Sequence, residues 1–376
     1  LVYNDDFTED SNEFKGGFPL HNPGFYGYGT ERSFEYAHAY LHYTSPYGDF
    51  TFANEPIQWG NSLQPIILSD NVPPYPRIAW SKSLGKSRFS FFHANILPAA
   101  SSSNAGLEYY DKKYLVGHRW EVSLSDKLEG AFTEILVYGG RETELIYFIP
   151  PIFLWPVQHN MTSQSEDNIL WFLEAQYTLL PDVKTYGTFM IDELRTSEMF
   201  NDWGGNRWAV QAGIHFTHSL FSIPVDNRLE FTAVRPWAYT HREPQFGTYT
   251  HNTRPLGFTS GPNSRQLLLQ NIWWINPRSQ VVLTFTQLQK GFEPEAYQDD
   301  GYDFGNNANE NYATSNPEIY EENTGWLIGD IHTNNHLQLN YYYQLSNVIS
   351  CDFGMRYTSK DEGEETTLLL QFNLDY

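Results

Sequence analysis

The chain has 376 residues with 45 acidic and 23 basic side chains, and its formal net charge of −22 makes nucleic acid a poor partner because phosphate is repelled. Its single cysteine, Cys351, excludes an internal disulfide and a cysteine-based metal cluster. No apolar run is long enough for a transmembrane helix and no segment sustains helical periodicity, so one large all-β unit is expected. Aromatic residues are abundant, with 26 Tyr, 26 Phe and 11 Trp, as ring belts at two membrane interfaces require.

In chain order, residues 1–32 are polar and Gly-rich and receive no strand assignment. They open on Leu1-Val-Tyr-Asn-Asp-Asp without the basic-then-apolar pattern of a signal peptide, so either an export signal is expected to have been removed or the sequence starts late. Strands are predicted over 33–43, 48–57, 77–84, 88–97, 113–125, 130–139, 168–179, 182–192, 206–219, 226–238, 265–275 and 278–290. Three more follow at the carboxy-terminal end, and these alternate most clearly. Leu337, Leu339, Tyr341, Tyr343 and Leu345 share one face, then Ile349, Cys351, Phe353, Met355 and Tyr357, then Leu368, Leu370, Phe372, Leu374 and Tyr376. Opposite them lie residues such as Gln338, Asn340, Asp352 and Arg356. Runs of about 9 to 11 residues with one unbroken apolar face suit a tilted strand crossing a bilayer. The expected fold is therefore a transmembrane antiparallel outer-membrane β-barrel spanning residues 1–376. Fifteen runs are counted; because bacterial single-chain barrels have even strand numbers, about 16 to 18 strands are expected.

The connections alternate in length. Tight turns are expected at 83–87, 125–130, 180–184, 222–227, 276–279 and 346–348, where Pro, Gly, Asn or Asp residues or a short polar break interrupt the pattern. Long connections fall at 59–76, 98–112, 140–167, 193–205, 239–264 and 291–332. Short periplasmic turns alternating with long outer loops are a barrel property, which a soluble β-sandwich or propeller lacks. The last long connection is acidic: residues 293–322 hold nine Asp or Glu and no Lys or Arg. It is expected to be a solvated extracellular loop.

Candidate chemistry is sparse. His332 and His336 are four apart, which on a strand separates them by about 13 Å, too far to share one ion. His241 and His251 lie in one long loop and meet only if it folds. No transition-metal site is assigned. The stretch Asp299-Asp-Gly-Tyr-Asp-Phe-Gly-Asn-Asn supplies hard oxygen ligands at 299–307 for calcium but lacks EF-hand spacing, and no other cofactor is indicated. There is no Gly-x-Ser-x-Gly and no His-Glu-x-x-His, and Asp192 and Glu193, adjacent on a strand, should point to opposite faces. A non-enzyme is expected, with no catalytic residues.

The run Phe52-Ala-Asn-Glu-Pro-Ile-Gln58-Trp59-Gly60-Asn-Ser-Leu-Gln-Pro-Ile-Ile-Leu-Ser69-Asp70-Asn71-Val-Pro73-Pro74 resembles the Trp-Gly then Leu-Ser-Asp-Asn-x-Pro-Pro signature of capsule assembly proteins of the Wzi family. Further pieces agree in order: Phe189-Met-Ile-Asp-Glu-Leu, Arg235-Pro-Trp-Ala-Tyr-Thr-His, Tyr249-Thr-His-Asn, Leu256-Gly and Gly261-Pro-Asn-Ser264. The resemblance covers roughly residues 50–290. It implies an outer-membrane barrel acting at the cell surface as a lectin that retains capsular polysaccharide. Unlike the best-known members, this chain shows no amino-terminal helical segment ahead of the barrel. Read without the family, Ser69 to Pro74 is turn chemistry, with Asp70 and Asn71 satisfying their own backbone, in a loop that can fold inward to constrict the lumen.

Two functions follow from these residues. A polysaccharide-binding surface is expected from Tyr239, His241, Tyr249, His251 and Asn252 in one loop and Tyr297, Tyr302 and Tyr312 in another, since flat rings stack on sugar C–H faces and amides bond hydroxyls. The alternative is a diffusion channel whose polar lumen holds Arg207, Gln211, His215, Asp352 and Arg356. The partners expected are outer-membrane lipids and surface polysaccharide, with other outer-membrane or periplasmic proteins possible.

Overall fold

The computed structural model describes residues 24–28, 31–35, 38–98, 112–161, 167–198, 203–297, 303–311, 325–360 and 363–374. Strands β1 (Gly24–Tyr28) and β2 (Glu31–Glu35) form a separate hairpin. A continuous wall begins with β3 (Ala39–Ser45), β4 (Gly48–Asn54), β5 (Pro76–Leu84), β6 (Ser87–Ile96), β7 (Lys113–Ser123) and β8 (Leu128–Gly139). After α1 (Leu154–Met161) it continues through β9 (Asn168–Leu180), β10 (Val183–Glu193), β11 (Arg207–Leu220) and β12 (Ile223–Val234). An insertion holding α2 (Pro244–Gly247) and the short pair β13 (Thr250–His251) and β14 (Arg254–Pro255) follows. The wall then runs through β15 (Ser264–Asn276), β16 (Ser279–Phe292), β17 (Asp330–Gln344), β18 (Ile349–Lys360) and β19 (Gly363–Leu374).

Fifteen strands make one antiparallel sheet, each paired with its neighbour in the chain once the β13–β14 insertion is set aside. All fifteen sequence-predicted runs fall on these strands. The run 33–43 is divided, however, between β2 and β3, which brings two further strands in at 24–35. The run 226–238 stops at Val234 because Trp237 and Tyr239 take positive φ values of 57° and 71°, which no strand accommodates. The expected turn at 222–227 sits earlier, at Phe221 and Ser222, which both carry the positive φ of a two-residue hairpin, so Pro224 and Asp226 lie inside β12.

Register explains the two faces. Leu283, Leu339, Met355 and Leu368 lie opposite one another across four strands, an apolar row left uncovered on the outside. One residue along, Thr284, Gln338, Arg356 and Thr367 form a polar row on the inside, where Arg356 donates to Gln338 at 2.8 Å. A one-residue slip would exchange the rows, so the lipid around the wall holds the register. Apart from the two-residue link between β18 and β19, the short turns lie at one rim and the long connections at the other, which by the barrel rule is the extracellular rim.

Candidate functional site

The long-loop end of the barrel is occupied by its own chain. Residues 55–75 fold inward, burying Ile66, Ile67, Leu68, Val72 and Tyr75 against an inner wall that is apolar at this level: Phe92, Ala94, Leu115, Ile135, Phe172 and Met190. Polar wall residues hold the loop backbone. Glu230 accepts the Leu63 N–H at 3.0 Å and is fixed by the Tyr186 hydroxyl at 2.5 Å, while Gln211 donates to the Gln64 carbonyl at 2.8 Å. Gln211, expected to face an open lumen, is therefore bound to the plug.

The family-like motif is the frame of this plug. Trp59 and Leu68 pair through their backbones, and Trp59 stands edge-on to Phe92 at 5.1 Å with Arg119 over its face. Gly60 has φ +121° and an added Cβ would lie 2.7 Å from the Pro65 Cβ, so only glycine suits this bend. Gln58 is exposed, Gly60 and Pro74 are half-buried, and Ser69 and Pro73 are buried, with the Ser69 N–H donating to the Leu256 carbonyl at 2.7 Å. Asp70 and Asn71 are half-buried, and the Asn71 amide donates to the Thr259 hydroxyl at 2.8 Å, a link between loops. Asn71 thus ties two segments together where turn chemistry alone predicted a local bond.

The second loop, 235–263, locks onto the first. Tyr239 and Tyr249 are fully buried, with ring centres 5.3 Å apart, and donate their hydroxyls to the carbonyls of Ile66 at 3.0 Å and Ile67 at 2.5 Å. Burial raises both phenols well above the ordinary range and pushes Tyr75 up to about 12. These rings were expected to stack on sugar at the surface; instead the apolar run 66–68 draws them inside as pins. His241 and His251 are buried too. Each accepts a backbone N–H at Nδ1, from Glu243 at 3.2 Å and from Leu97 at 2.8 Å, and burial lowers both to about 3. Neither histidine faces the surface as a sugar ligand. Asn252, half-buried, lies at the β13–β14 turn with φ 48°.

A third segment closes the set. Trp237 donates to Asp303 at 2.7 Å, and Gly305, with φ +68°, fits where an added Cβ would lie 2.6 Å from the Trp237 nitrogen. Asn263 joins this segment to the next strand by donating to the carbonyls of Phe304 and Ile328. Asn309 bonds the Thr253 carbonyl at 2.7 Å. Burial first, then the charge of Asp303, raises Glu310 to about 7. Tyr297 is 41% exposed and packs on Phe304, whereas Tyr302 and Tyr312 lie outside the described residues. Of the calcium stretch 299–307, Asp303 accepts N–H groups at both oxygens, and Asp299 and Asp300 lie outside the described residues. No group of three metal-type side chains occurs among the described residues.

Below the plug, towards the short-turn rim, the lumen stays polar. A cavity of about 310 Å³ is lined by Arg88, Arg119, Glu121, Glu129, Glu174 and Gln176 among others. Near the other rim a register shift between Ile191 and Glu193 changes the expected geometry of the carboxylates. Arg207 reaches both Asp192, at 4.0 Å, and Glu193, at 3.4 Å, because the bulge cancels the alternation that should have separated them. Asp192 also accepts the Tyr239 N–H at 2.8 Å, so this acid serves the plug.

No protein-family profile and no curated protein sequence matches this chain. Among solved structures it is similar to Wzi of Escherichia coli, described as an outer membrane protein involved in group 1 capsule assembly and a carbohydrate binding β-barrel. That likeness has a TM-score of 0.61 and 14% identity, and covers 95% of this chain and 72% of that one. OccD3 (OpdP) of Pseudomonas aeruginosa follows, with TM-score 0.47 and 9% identity over 86% of this chain and 74% of that one. The fold is that of an outer-membrane β-barrel.

Within that barrel the outer wall carries a group that sequence reading missed. Glu134, on the lipid side of β8 beside Phe132 and Leu136, accepts the N–H groups of Leu154 and Trp155 and the Trp171 indole. Its signal was available in the sequence: an acid on the apolar face of a spanning strand needs a cover. The cover is the segment 140–161, which turns back over the outside of the wall. Asp167 anchors its base, accepting two bonds from Arg141 at 2.7 and 2.8 Å and the Tyr147 hydroxyl at 2.6 Å.

Proposed function

We propose that this barrel binds and retains surface polysaccharide at its long-loop end, acting by binding rather than by catalysis. The observation that carries the reading is the dry plug: Ile66, Ile67, Tyr239, Tyr249 and Phe258 pack with no solvent exposure across the part of the lumen beneath the long loops. A general diffusion pore needs a hydrated path there, whereas a binding surface needs rigid loops. Likeness to the carbohydrate-binding Wzi barrel over nearly the whole chain supports the same reading, as does the family-like motif, whose residues build the plug. The sugar-facing groups are then the half-buried polar residues of the roof, Asp70, Asn71 and Asn252, with Tyr297 as a ring at its edge.

Two measurements test this. Replacing Asn252 and Tyr297 by alanine is expected to raise shed over cell-associated polysaccharide while heat-modifiable gel mobility stays normal. Purified protein in a planar bilayer is expected to show no large steady conductance. Unchanged retention together with a stable open pore would establish the channel instead.

A further inference from the structure

We propose that the outer wall carries a lipid-binding slot, in which the acyl chain of a membrane lipid is held between β4–β8 and the folded-back segment 140–161. The slot has a volume of about 790 Å³, within the range of roughly 300 to 1,000 Å³ usual for ligand pockets. One side is the lipid face of the barrel, with Phe50, Trp80, Phe91, Trp120 and Phe132; the other is the loop stretch 150–153.

Three observations name the occupant. First, the slot is continuous with the apolar band around the barrel: Trp120 and Phe52 line it and are also more than half exposed on the lipid side. Second, the free surface of the covering segment is itself apolar, with Leu145 at 83% and Phe153 at 61% exposure and Ile149 and Trp155 also exposed. A loop standing in water would not present such a row, so this one lies in hydrocarbon and the space behind it is reached by lipid chains. Third, the cover is fixed rather than loose. Glu134 and Asp167 tie it at both ends, while Tyr138, Tyr147 and Leu154 pack it onto the wall beside the slot. An ordinary convex barrel face lets chains slide past; two fixed walls confine one. Apart from His118 and Glu134, whose oxygens are already taken by Leu154, Trp155 and Trp171, the lining is aromatic, aliphatic or proline, which matches an acyl chain better than a sugar or an ion.

The test uses the whole protein reconstituted in phosphatidylethanolamine and phosphatidylglycerol vesicles doped with a phosphatidylcholine whose acyl chain carries a diazirine. After photolysis, peptides containing 150–153, Trp120 and Phe132 are expected to be labelled several-fold above those containing Leu339 and Phe353, which line the opposite, open face. Ile152→Glu, placed in the loop so that the strands assemble normally, should lower slot labelling to the level of the open face and leave Leu339 and Phe353 unchanged. Trp120→Ala, which widens the slot and loosens its grip, should lower it partly. Even labelling around the belt, or labelling that Ile152→Glu does not alter, would overturn the proposal. So would slot labelling by a free diazirine fatty acid but not by the phospholipid.

Discussion

The carboxylate of Glu134 accepts the backbone N–H of Leu154 at 2.7 Å and that of Trp155 at 3.0 Å, joining the lipid side of β8 to the start of α1. A charge on a membrane wall is costly unless it is covered and hydrogen-bonded, and here two helix-start amides and the Trp171 indole do both. Glu134→Ala would strand two amides, each at about 1 to 3 kcal/mol. Hydrogen exchange across 145–161 is expected to accelerate, with exchange in the strands far from this segment, such as β17 and β18, unchanged.

Tyr239 and Tyr249 hold the plug by donating their hydroxyls to Ile66 and Ile67, and the Tyr239 hydroxyl also accepts the Phe258 N–H at 3.3 Å. Changing either to phenylalanine should cost about 1 to 3 kcal/mol, because a buried carbonyl loses its donor while the ring packing survives. Changing both to alanine removes two rings from a sealed core, at about 3 to 5 kcal/mol each. The expected readouts are a lower unfolding midpoint for the first pair and, for the double alanine variant, new single-channel openings in a planar bilayer.

The plug should also respond to pH. His241 and His251 titrate near 3 when folded, against an ordinary 6.5, because both are buried, and the nearby cations Arg207, Arg242 and Lys113 add to the effect. Between those values the unfolded loop binds more protons than the folded one, so the contribution is complete above pH 6.5 and falls as pH drops towards 3. Each Nδ1 already accepts a backbone N–H, and a proton there would break that bond. Protease cleavage within 239–258 is expected to rise on acidification from pH 7 to pH 5, and less so in a His241→Gln, His251→Gln variant.

Membrane faces can be tested at adjacent residues. Leu339→Arg places a charge on the uncovered outer row and should cost about 2 to 4 kcal/mol. Gln338→Arg loses the bond from Arg356 and sets two cations opposite each other, but on the lumen side water screens them, so it should cost less. Assembly into vesicles, read by heat-modifiable mobility, measures both; equal losses would reverse the face assignment.

Period-2 alternation was enough to locate all fifteen wall strands, and the sides of Leu339 and Gln338, from the sequence alone, because side-chain direction on a strand is a local property that lipid enforces along its whole length. The rhythm of short turns and long loops likewise set the barrel class and its rims. Loop residues were a different matter. Tyr239, Tyr249, His241 and His251 read as surface groups because they sit among polar residues; only the fold brings them to Ile66 and Ile67, 173 and 182 residues away from their partners. The acidic Glu134 and Glu230 needed distant backbone amides, at Leu154 and Leu63, before their roles appeared. Asp192 and Glu193 share Arg207 only because a bulge interrupts the alternation between them. Sequence encodes a strand residue's face through its nearest neighbours, whereas a loop residue's surroundings depend on which remote apolar segment is driven into the same dry space, and that was decided by the tertiary structure.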